Sequence, residues 1–316
     1  MINWTEKNVL VTGGAGFLGS YIIKLLKKNN VKKLITPSST ECDLIQLSNC
    51  KQIVEGMDIV FHLAAKVGGI GFNQEKPAEL FYDNIMMGTQ LMNEAKNAGV
   101  EKFIALGTIC SYPKFAKLPF SEDSIWDGYP EETNAPYGLA KKMLLVQSQA
   151  YRQQYNFKSI VVFPTNLYGP KDNFDPTSSH VIPALIKKIY KSKLENSPLT
   201  VWGDGSPTRD FLYVEDAAKG IVLAAEKYDD DSPINLGSGK EVSIKELVTL
   251  LCKIMNFEGK IIWDPTKPNG QPRRCVSIKR AEEKIGFKPT VDLEMGLTNI
   301  VNWFLEQINN NKLKIT

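Results

Sequence analysis

The 316-residue chain is poor in the residues and patterns that mark several large classes of protein. Its five cysteines are odd in number and lack C-x-x-C spacing, which argues against both a disulfide framework and a zinc site. No uninterrupted apolar run approaches the roughly 18 residues that a membrane-spanning helix needs. The balance of 38 basic against 35 acidic residues leaves a formal charge of +3, which is not typical of a nucleic-acid-binding protein.

The first residues, Met1–Glu6, do not resemble a signal peptide. Together these absences predict a soluble, cytoplasmic protein with reduced cysteines and no metal site. They also predict neither nucleic-acid nor membrane partners. The length allows one large domain or two modest ones, with ample core.

Strand-like and helix-like segments alternate through the first half of the chain, which predicts an α/β fold with a Rossmann-like doubly wound parallel sheet. The predicted strands are 8–12, 33–36, 58–63, 102–106, 159–163 and 199–202. The predicted helices are 20–28, 79–98, 140–155, 181–191, 214–226, 244–255 and 293–308. We predict an NADP-binding domain over 1–170 and about 210–238, and a smaller α/β substrate-binding lobe over 171–209 and 239–316.

A glycine-rich turn follows the first predicted strand directly. The segment Gly13-Gly14-Ala15-Gly16-Phe17-Leu18-Gly19 lies between that strand and an amphipathic helix, which is the context of a dinucleotide-binding turn. Gly13 permits the tight turn, Gly16 lets backbone amides approach a pyrophosphate, and Gly19 allows the helix to pack closely on the strand. The helix N-terminus supplies partial positive charge to the phosphates. An ordinary βα turn rich in glycine is the alternative.

The end of the second predicted strand bears on which dinucleotide is bound. An NAD site usually places a carboxylate there to hold the ribose 2′-hydroxyl, and the tip Pro37-Ser38-Ser39-Thr40 carries none. Hydroxyls and nearby lysines suit a 2′-phosphate better, so we predict NADP(H). The nearest acids are Glu41 and Asp43, and Asp43 is a candidate to hydrogen-bond the adenine ring.

Two side chains four residues apart predict carbonyl reduction. On a helix such residues share a face, so Tyr137 and Lys141 project into the same space. A free tyrosine keeps its proton to a pH of about 10, and an adjacent lysine cation favours the phenolate. We therefore expect Tyr137 to deliver a proton to a carbonyl oxygen while a hydride reaches the carbon. Alone, the Y-x-x-x-K pattern is weak and also fits a surface helix that carries a tyrosine.

Thr108 and Cys110 follow the predicted strand 102–106 at its carboxyl end, the edge at which open α/β sheets bind ligands. Thr108 can hydrogen-bond the same carbonyl oxygen as Tyr137, or it can cap the loop. Cys110 would point into the cleft where a substrate must lie. The other cysteines are expected to be small buried hydrophobes: Cys42, Cys50, Cys252 and Cys275.

The chain has only two histidines. His62 lies inside a predicted strand, where we expect a structural role. His180 precedes a helix, where it either faces the ligand and titrates near neutral pH or caps the helix. A thiol and an imidazole on either side of a ketone form an acid/base pair that can invert neighbouring stereocentres through an enolate, which the Tyr137/Lys141 dyad would stabilise. The residues therefore predict epimerisation followed by reduction in one cleft.

With these residues assembled, the chain resembles the extended short-chain dehydrogenase/reductases and, within them, the GDP-L-fucose synthase family. The likeness runs nearly end to end, and its most specific segments are 62–70 and 179–184. The other matching segments are 110 with 112–114, 136–141, 164–170, 172–174, 201–203, 209 with 211–212, and 266–268.

The resemblance implies an enzyme that uses NADPH to epimerise GDP-4-keto-6-deoxy-D-mannose at C3 and C5 and to reduce it at C4. It implies Tyr137 as proton donor, Thr108 as its partner at the carbonyl, and Cys110 with His180 as epimerising acid and base. The cofactor residues that it implies beyond the glycine turn and Asp43 are Leu63, Ala64, Ala65, Leu106, Gly107, Thr108, Ile109, Tyr137, Lys141, Pro164, Thr165, Asn166, Leu167 and His180. The substrate residues are Lys188, Trp202, Arg209 and Asn269, of which the cations suit a diphosphate and the indole suits a base.

The resemblance also implies a homodimer through the helices 79–98 and 140–155. Two positions depart from the family pattern. Thr108-Ile109 stands where the family often has two serines, and Asn269 stands where it usually has aspartate, which removes a charge that could bind ribose hydroxyls.

Three other functions are open at this point. A 4,6-dehydratase of the same superfamily would need acidic residues after the threonine, where this chain has Ile109 and Cys110. A reductase, with or without epimerase activity, could act on another GDP-4-keto sugar such as a 6-deoxy-heptose. A non-catalytic NADP-binding regulator is a third, although such proteins typically lose the Tyr137/Lys141 pair.

Overall fold

The computed structural model describes residues 2–68, 70–175, 178–267 and 271–313. The strands are β1 Asn8–Thr12, β2 Lys33–Ile35, β3 Ile59–His62, β4 Lys102–Leu106, β5 Ser159–Pro164, β6 Asn166–Tyr168, β7 Leu199–Trp202, β8 Thr208–Arg209, β9 Phe211–Tyr213, β10 Ile234–Leu236, β11 Val242–Ser243, β12 Ile261–Asp264 and β13 Arg273–Arg274. The helices are α1 Phe17–Lys28, α2 Leu47–Val54, α3 Ile70–Glu75, α4 Pro77–Asn97, α5 Ala135–Tyr155, α6 Val181–Leu194, α7 Val214–Lys227, α8 Ile244–Ile254, α9 Lys279–Ile285 and α10 Leu293–Asn309.

Six strands form one sheet in the order β10-β5-β4-β3-β1-β2, and every neighbouring pair is parallel. β1 lies between β2 and β3, with Val9 opposite Leu34 on one side and Ile59 on the other. β3 and β5 are buried along their whole length, as expected of parallel strands that helices cover on both faces. The predicted doubly wound α/β sheet is confirmed.

Two apolar clusters cover the two faces of this sheet. One packs α1, α7 and α9 on the face that carries Val9 and Val11, with Ile22 fully buried. The other packs α2, α4 and α5 on the opposite face, where Leu10 meets Leu91. Successive side chains of a strand point to opposite faces, which is why neighbours along β1 belong to different clusters.

A third apolar cluster packs α6, α8 and α10 together, with Ile186, Leu247 and Phe304 at its centre. Short strands lie beside it as the pairs β12–β7 and β6–β9 and as the sheet β11-β8-β13. Ser243 and Glu246 form a capping box that fixes the start of α8. We propose that this third core marks the substrate-binding lobe predicted over 171–209 and 239–316, and that the remainder forms the dinucleotide-binding domain.

The helices differ from prediction mainly in length. The helix predicted from residue 140 begins at Ala135, because Pro136 is well suited to a first helical turn. Tyr137 therefore lies in the first turn of α5. The helices α2, α3 and α9, which have eight, six and seven residues, were not predicted. Such short segments carry too few turns for helical periodicity to be recognised.

None of the helices within the described ranges is both long and apolar enough to cross a membrane. Over the same ranges, no three His, Cys, Asp or Glu side chains are grouped as metal ligands. Cys50, Cys252 and Cys275 are buried, as predicted, and each thiol is free. Cys42 is only half-buried, so the prediction of a buried hydrophobe is wrong there. It follows the exposed turn after β2 and borders an open cleft.

Candidate active site

A cleft of about 830 Å³ runs along the carboxyl edge of the six-stranded sheet. The segments that follow β1 to β5 line it, and β1 and β3 meet where the strand order reverses, the place where open α/β sheets bind ligands. The lining holds every cofactor residue predicted from the sequence except Gly14, and it also holds Cys110. The further lining residues are Thr12, Pro37, Ser38, Ser39, Cys42, Leu44, Ile45, Lys66, Val67, Asp83, Met87 and Asp172.

The glycine turn forms one end of the cleft. Gly13 has a φ of +70°, and a Cβ there would lie 2.7 Å from the backbone nitrogen of Ala64. A Cβ at Gly19 would lie 2.3 Å from the carbonyl oxygen of Gly13, so both positions require glycine. Gly14 lies on the far side, where a Cβ would be 2.8 Å from Ile23 Cδ1, and this explains why it does not line the cleft.

The residues at the start of α1 fit a dinucleotide cofactor. Gly16 is the N-cap of α1, and no side chain accepts from the free amides of that helix start. Gly16, Phe17 and Leu18 line the cleft, which makes this helix N-terminus available to a phosphate.

The turn that follows β2 carries a carboxylate beside Ser38. The Glu41 carboxylate accepts hydrogen bonds from the Ser38 amide (3.0 Å) and the Ser38 hydroxyl (2.8 Å). These bonds lower the pKa of Glu41 below its ordinary value. A turn closed by the 3.0 Å bond from the Cys42 amide to the Ser38 carbonyl brings the Glu41 carboxylate beside Ser38, although Glu41 itself does not line the cleft.

No lysine or arginine lines this end of the cleft in the described part of the chain, so the lysines expected near the ribose are not in place. Asp43 does line the cleft, and its Oδ1 accepts from the Ile45 amide at 3.0 Å. Its second oxygen can still reach a ligand, and its contact with adenine stays a prediction.

Tyr137 and Lys141 lie on the cleft-facing side of α5. Lys141 is only 2% exposed, and burial lowers its pKa to about 8. Burial raises the pKa of Tyr137, the nearby Cys110 raises it further, and a hydrogen bond with Thr108 lowers it in part. The prediction that Lys141 lowers the pKa of Tyr137 is wrong, since desolvation dominates. Tyr137 thus holds its proton at neutral pH, as a proton donor must.

Thr108 combines the two roles considered for it. It is the N-cap of the short 3-10 helix Ile109–Ser111, and its Oγ1 accepts from the Cys110 amide at 3.3 Å. Its hydroxyl also interacts with the phenol of Tyr137. The capping bond therefore fixes the hydroxyl beside that phenol.

Cys110 is half-buried at the cleft wall and has two side-chain neighbours. Its Sγ lies 3.8 Å from Asn134 Oδ1 and 3.5 Å from Arg274 Nη1. Asn134 is itself held by Asn73 and by Glu131. The sequence analysis missed Asn134 and Arg274, because neither belongs to a local motif with Cys110.

The two histidines occupy different environments. His62 is fully buried, with Nδ1 3.0 Å from Thr12 Oγ1, and burial followed by the charge of Lys141 lowers its pKa well below the ordinary value. His180 precedes α6 but makes no side-chain capping bond, so the capping alternative is wrong. It borders the cleft with its side chain open to solvent, yet the surrounding protein atoms lower its pKa.

Asp172 is a further cleft residue that the sequence analysis did not predict to act. Burial raises its pKa to about 7, and a hydrogen bond from the Asn173 amide only partly offsets this. Its Oδ2 is buried without a partner in the described structure. A half-protonated carboxyl at this wall can donate or accept a hydrogen bond near neutral pH.

The predicted substrate residues lie outside the cleft lining, on α6, β7 and β8. Trp202 is 58% exposed, with Lys188 Nζ 5.0 Å and Lys267 Nζ 5.8 Å from its ring centre. Arg209 is held by bonds of 2.7 Å from its Nη1 to the carbonyls of Thr208 and Gln271, and burial lowers its pKa to about 10. Asn269 lies outside the described residues. Lys267 was not predicted.

Comparison with known proteins shows which family shares this architecture. The model of the NAD dependent epimerase/dehydratase family matches residues 9–237. The chain is 39% identical over 308 residues to a GDP-L-fucose synthase of Sinorhizobium fredii (strain NBRC 101917 / NGR234), covering 96% of this chain and 98% of that protein. It is 33% identical over 308 residues to a GDP-L-colitose synthase of Yersinia pseudotuberculosis, covering 96% of this chain and 99% of that protein.

Solved structures share the fold. A GDP-L-fucose synthetase from Naegleria fowleri bound to NADP has a TM-score of 0.89 at 31% identity, covering 98% of this chain and 96% of that one. A GDP-6-OMe-4-keto-L-xylo-heptose reductase from C. jejuni also has a TM-score of 0.89, at 24% identity and covering 96% and 99% of the two chains, which shows a common fold alone.

Proposed function

We propose that this chain, which belongs to the NAD dependent epimerase/dehydratase family and is an NADP(H)-dependent enzyme, converts GDP-4-keto-6-deoxy-D-mannose to GDP-L-fucose. The observation that supports this most directly is that two pairs of side chains line one cleft, Tyr137 with Lys141 and Cys110 with His180. A protonated phenol beside a buried lysine suits reduction, and a thiol with an imidazole suits epimerisation.

In the reduction, Tyr137 donates its proton to the C4 oxygen, and the Thr108 hydroxyl orients that oxygen. NADPH supplies the hydride when bound. Lys141, desolvated and facing the cleft, offers a cation to the polar groups around Tyr137. The start of α1 and the segments after β3 to β5 would hold the cofactor.

In the epimerisation, Cys110 and His180 act on the carbons next to the ketone. One removes a proton and the other returns one, and the C4 oxygen carries the enolate charge between the two events. Tyr137 stabilises that oxygen by hydrogen bonding. His180 suits this exchange because its lowered pKa lets the protonated imidazole give up its proton readily.

The nucleotide would bind beyond the cleft on the Trp202 surface. The indole offers a stacking face for the base, and Lys188 and Arg209 offer charge to the diphosphate. We also propose a cytoplasmic homodimer that pairs through α4 and α5. The large apolar side chains exposed on these helices support the pairing: Phe81, Tyr82, Val146 and Tyr155.

A second candidate function is reduction of a different GDP-4-keto sugar, with or without epimerisation, for instance a 6-deoxy-heptose. The likeness to a GDP-L-colitose synthase favours keeping it, because a protein 33% identical to this chain is named for a different GDP-sugar. A non-catalytic regulator is disfavoured, since Tyr137, Lys141 and Cys110 all line the cleft.

One incubation separates these functions. With NADPH and GDP-4-keto-6-deoxy-mannose in deuterated water, we expect NADPH to be consumed and deuterium to enter C3 and C5, as followed by absorbance and mass spectrometry. Tyr137→Phe should lower reduction by at least about 100-fold with NADPH binding nearly intact. Reduction without deuterium at both carbons would rule out the double epimerisation, and no NADPH consumption would rule out the enzyme as proposed.

A further inference from the structure

Cys110 lies between a hydrogen-bond acceptor and a cationic donor. Its Sγ is 3.8 Å from the amide oxygen of Asn134 and 3.5 Å from Nη1 of Arg274. A thiol can donate its S–H to Asn134, whereas a thiolate can only accept, and Arg274 donates to it. Each protonation state of Cys110 therefore has a partner, as a group that repeatedly loses and regains a proton requires.

Arg274 is placed to serve an anion. It is 8% exposed on β13, and its Nε donates to Gln271 Oε1 at 2.6 Å. Within the described ranges its side chain makes hydrogen bonds to Gln271 and Cys110 and no salt bridge. Burying a guanidinium without a carboxylate partner is costly, so the position calls for a negatively charged neighbour.

The preceding residue, Arg273, shows that this placement is specific. Arg273 is also an arginine on β13, but it points the other way and pairs with Glu241, and its side chain is 56% exposed. Adjacent strand residues point to opposite faces, so one arginine reaches solvent and the other reaches Cys110.

We propose, on the basis of the proposed function, that Arg274 is a positioning residue that holds Cys110 as the thiolate which removes the substrate proton. In that step the thiolate takes a proton from the carbon beside the ketone and becomes a thiol. The C–H electron pair becomes the enolate double bond, and the carbonyl pair moves to the oxygen. The thiol then turns its proton toward Asn134. The imidazolium form of His180 gives a proton to the carbon, the enolate electron pair forms the new C–H bond, and the carbonyl is restored. Thiol and imidazole regain their starting protonation by proton exchange with water.

Other charged groups act on this sulfur. Arg209 lies close enough for the charges of Arg209 and Cys110 to affect each other. Tyr137 faces Cys110 from α5 and is neutral at working pH. Glu131 interacts with Arg274 and partly offsets its charge. Among the charged groups of the described residues, Arg274 is the one that hydrogen-bonds to Sγ, so its removal should have the largest effect.

The test measures Cys110 itself, without substrate. Iodoacetamide reacts with thiolates, so the alkylation rate of the Cys110 peptide, followed by mass spectrometry across pH, reports how much thiolate is present. In Arg274→Gln we expect the midpoint to move to higher pH and the rate at neutral pH to fall about tenfold. Arg274→Lys should keep most of the rate, and Arg273→Gln should keep all of it.

The full protein then links the thiol to turnover. In Arg274→Gln we expect deuterium exchange at C3 and C5 to slow about tenfold, while NADPH binding stays the same. An unchanged alkylation profile would overturn the proposal, even if turnover fell, because Arg274 would then only bind substrate. A shifted profile in a protein that never exchanges deuterium would keep Arg274 as the group that holds the thiolate, and it would rule out the epimerisation in the proposed function.

Discussion

The cofactor end and the substrate end of the site are built from different materials. The cofactor end uses main chain, namely a glycine turn, a helix start and the segments after five neighbouring strands. The proposed substrate end uses long side chains from separate elements, with Lys188 on α6, Trp202 on β7 and Arg209 on β8. Backbone is fixed by the fold, whereas side chains can change one at a time.

This difference teaches where specificity resides. A dinucleotide cradle made of backbone varies little once the sheet is in place, so relatives with different sugar names can share it. In the proposed function, the exposed side chains around Trp202 recognise the nucleotide. Substitutions at the two ends should therefore affect different measured quantities.

Replacing Lys141 should have the largest effect, and that effect is on the free energy of unfolding. Its pKa is about 8 in the folded protein against an ordinary 10.5, so the unfolded chain binds more protons between those values. The free energy of unfolding therefore rises with pH across that window, and below it the full cost of about 3 kcal/mol is present. Lys141→Met should remove most of this cost at neutral pH and flatten the pH dependence in urea denaturation, while reduction is lost.

The matched control is Lys24→Met, because that lysine side chain is 77% exposed on α1. It should change neither the free energy of unfolding nor its pH dependence by more than a few tenths of a kcal/mol. If Lys141→Met were no more stable than the wild type at neutral pH, the buried lysine would have to be solvated or paired in solution.

Sequence reasoning was strongest at the cofactor end, for a physical reason. β1 and β4 were predicted to the residue, since buried parallel strands are short apolar runs and a glycine turn follows one of them directly. Every predicted cofactor residue but Gly14 lines one cleft. These signals are local, so a window of a few residues contains them.

The misses share the opposite property. The Cys110–Arg274 contact joins residues 164 apart in the chain, and Lys267 reaches Trp202 from the turn after β12. The Glu41 carboxylate bonds to Ser38 through turn geometry that composition does not reveal. The raised pKa of Tyr137 depended on burial, which no spacing of two residues encodes.

Trp202→Ala tests the substrate end with an intermediate effect. We expect the KM for the GDP-sugar to rise about tenfold, because stacking of a base on an aromatic ring contributes roughly 1–3 kcal/mol. NADPH affinity should not change, since Trp202 does not line the cofactor cleft.

Trp126→Ala is the control for that change. Trp126 is 50% exposed and lies under Lys142 Nζ at 4.2 Å, so it resembles Trp202 in exposure and in its lysine contact. Its removal should leave KM unaltered. Equal losses in the two variants would mean that the indole supports the fold and not the nucleotide.

Substitution of Glu41 should have the smallest effect, and it tests the cofactor end alone. The carboxylate keeps a negative charge at the tip of β2, where a 2′-phosphate would sit, and its lowered pKa keeps it ionised at neutral pH. Glu41→Gln preserves an oxygen for Ser38 but removes the charge. NADPH should then bind roughly twofold to fivefold more tightly at low salt, and the gain should fade at high salt.

NADH, which lacks the phosphate, is the control in the same fluorescence titration. A gain that was equal for both dinucleotides would place the 2′-phosphate away from Glu41 and return the choice of cofactor to side chains elsewhere along the cleft.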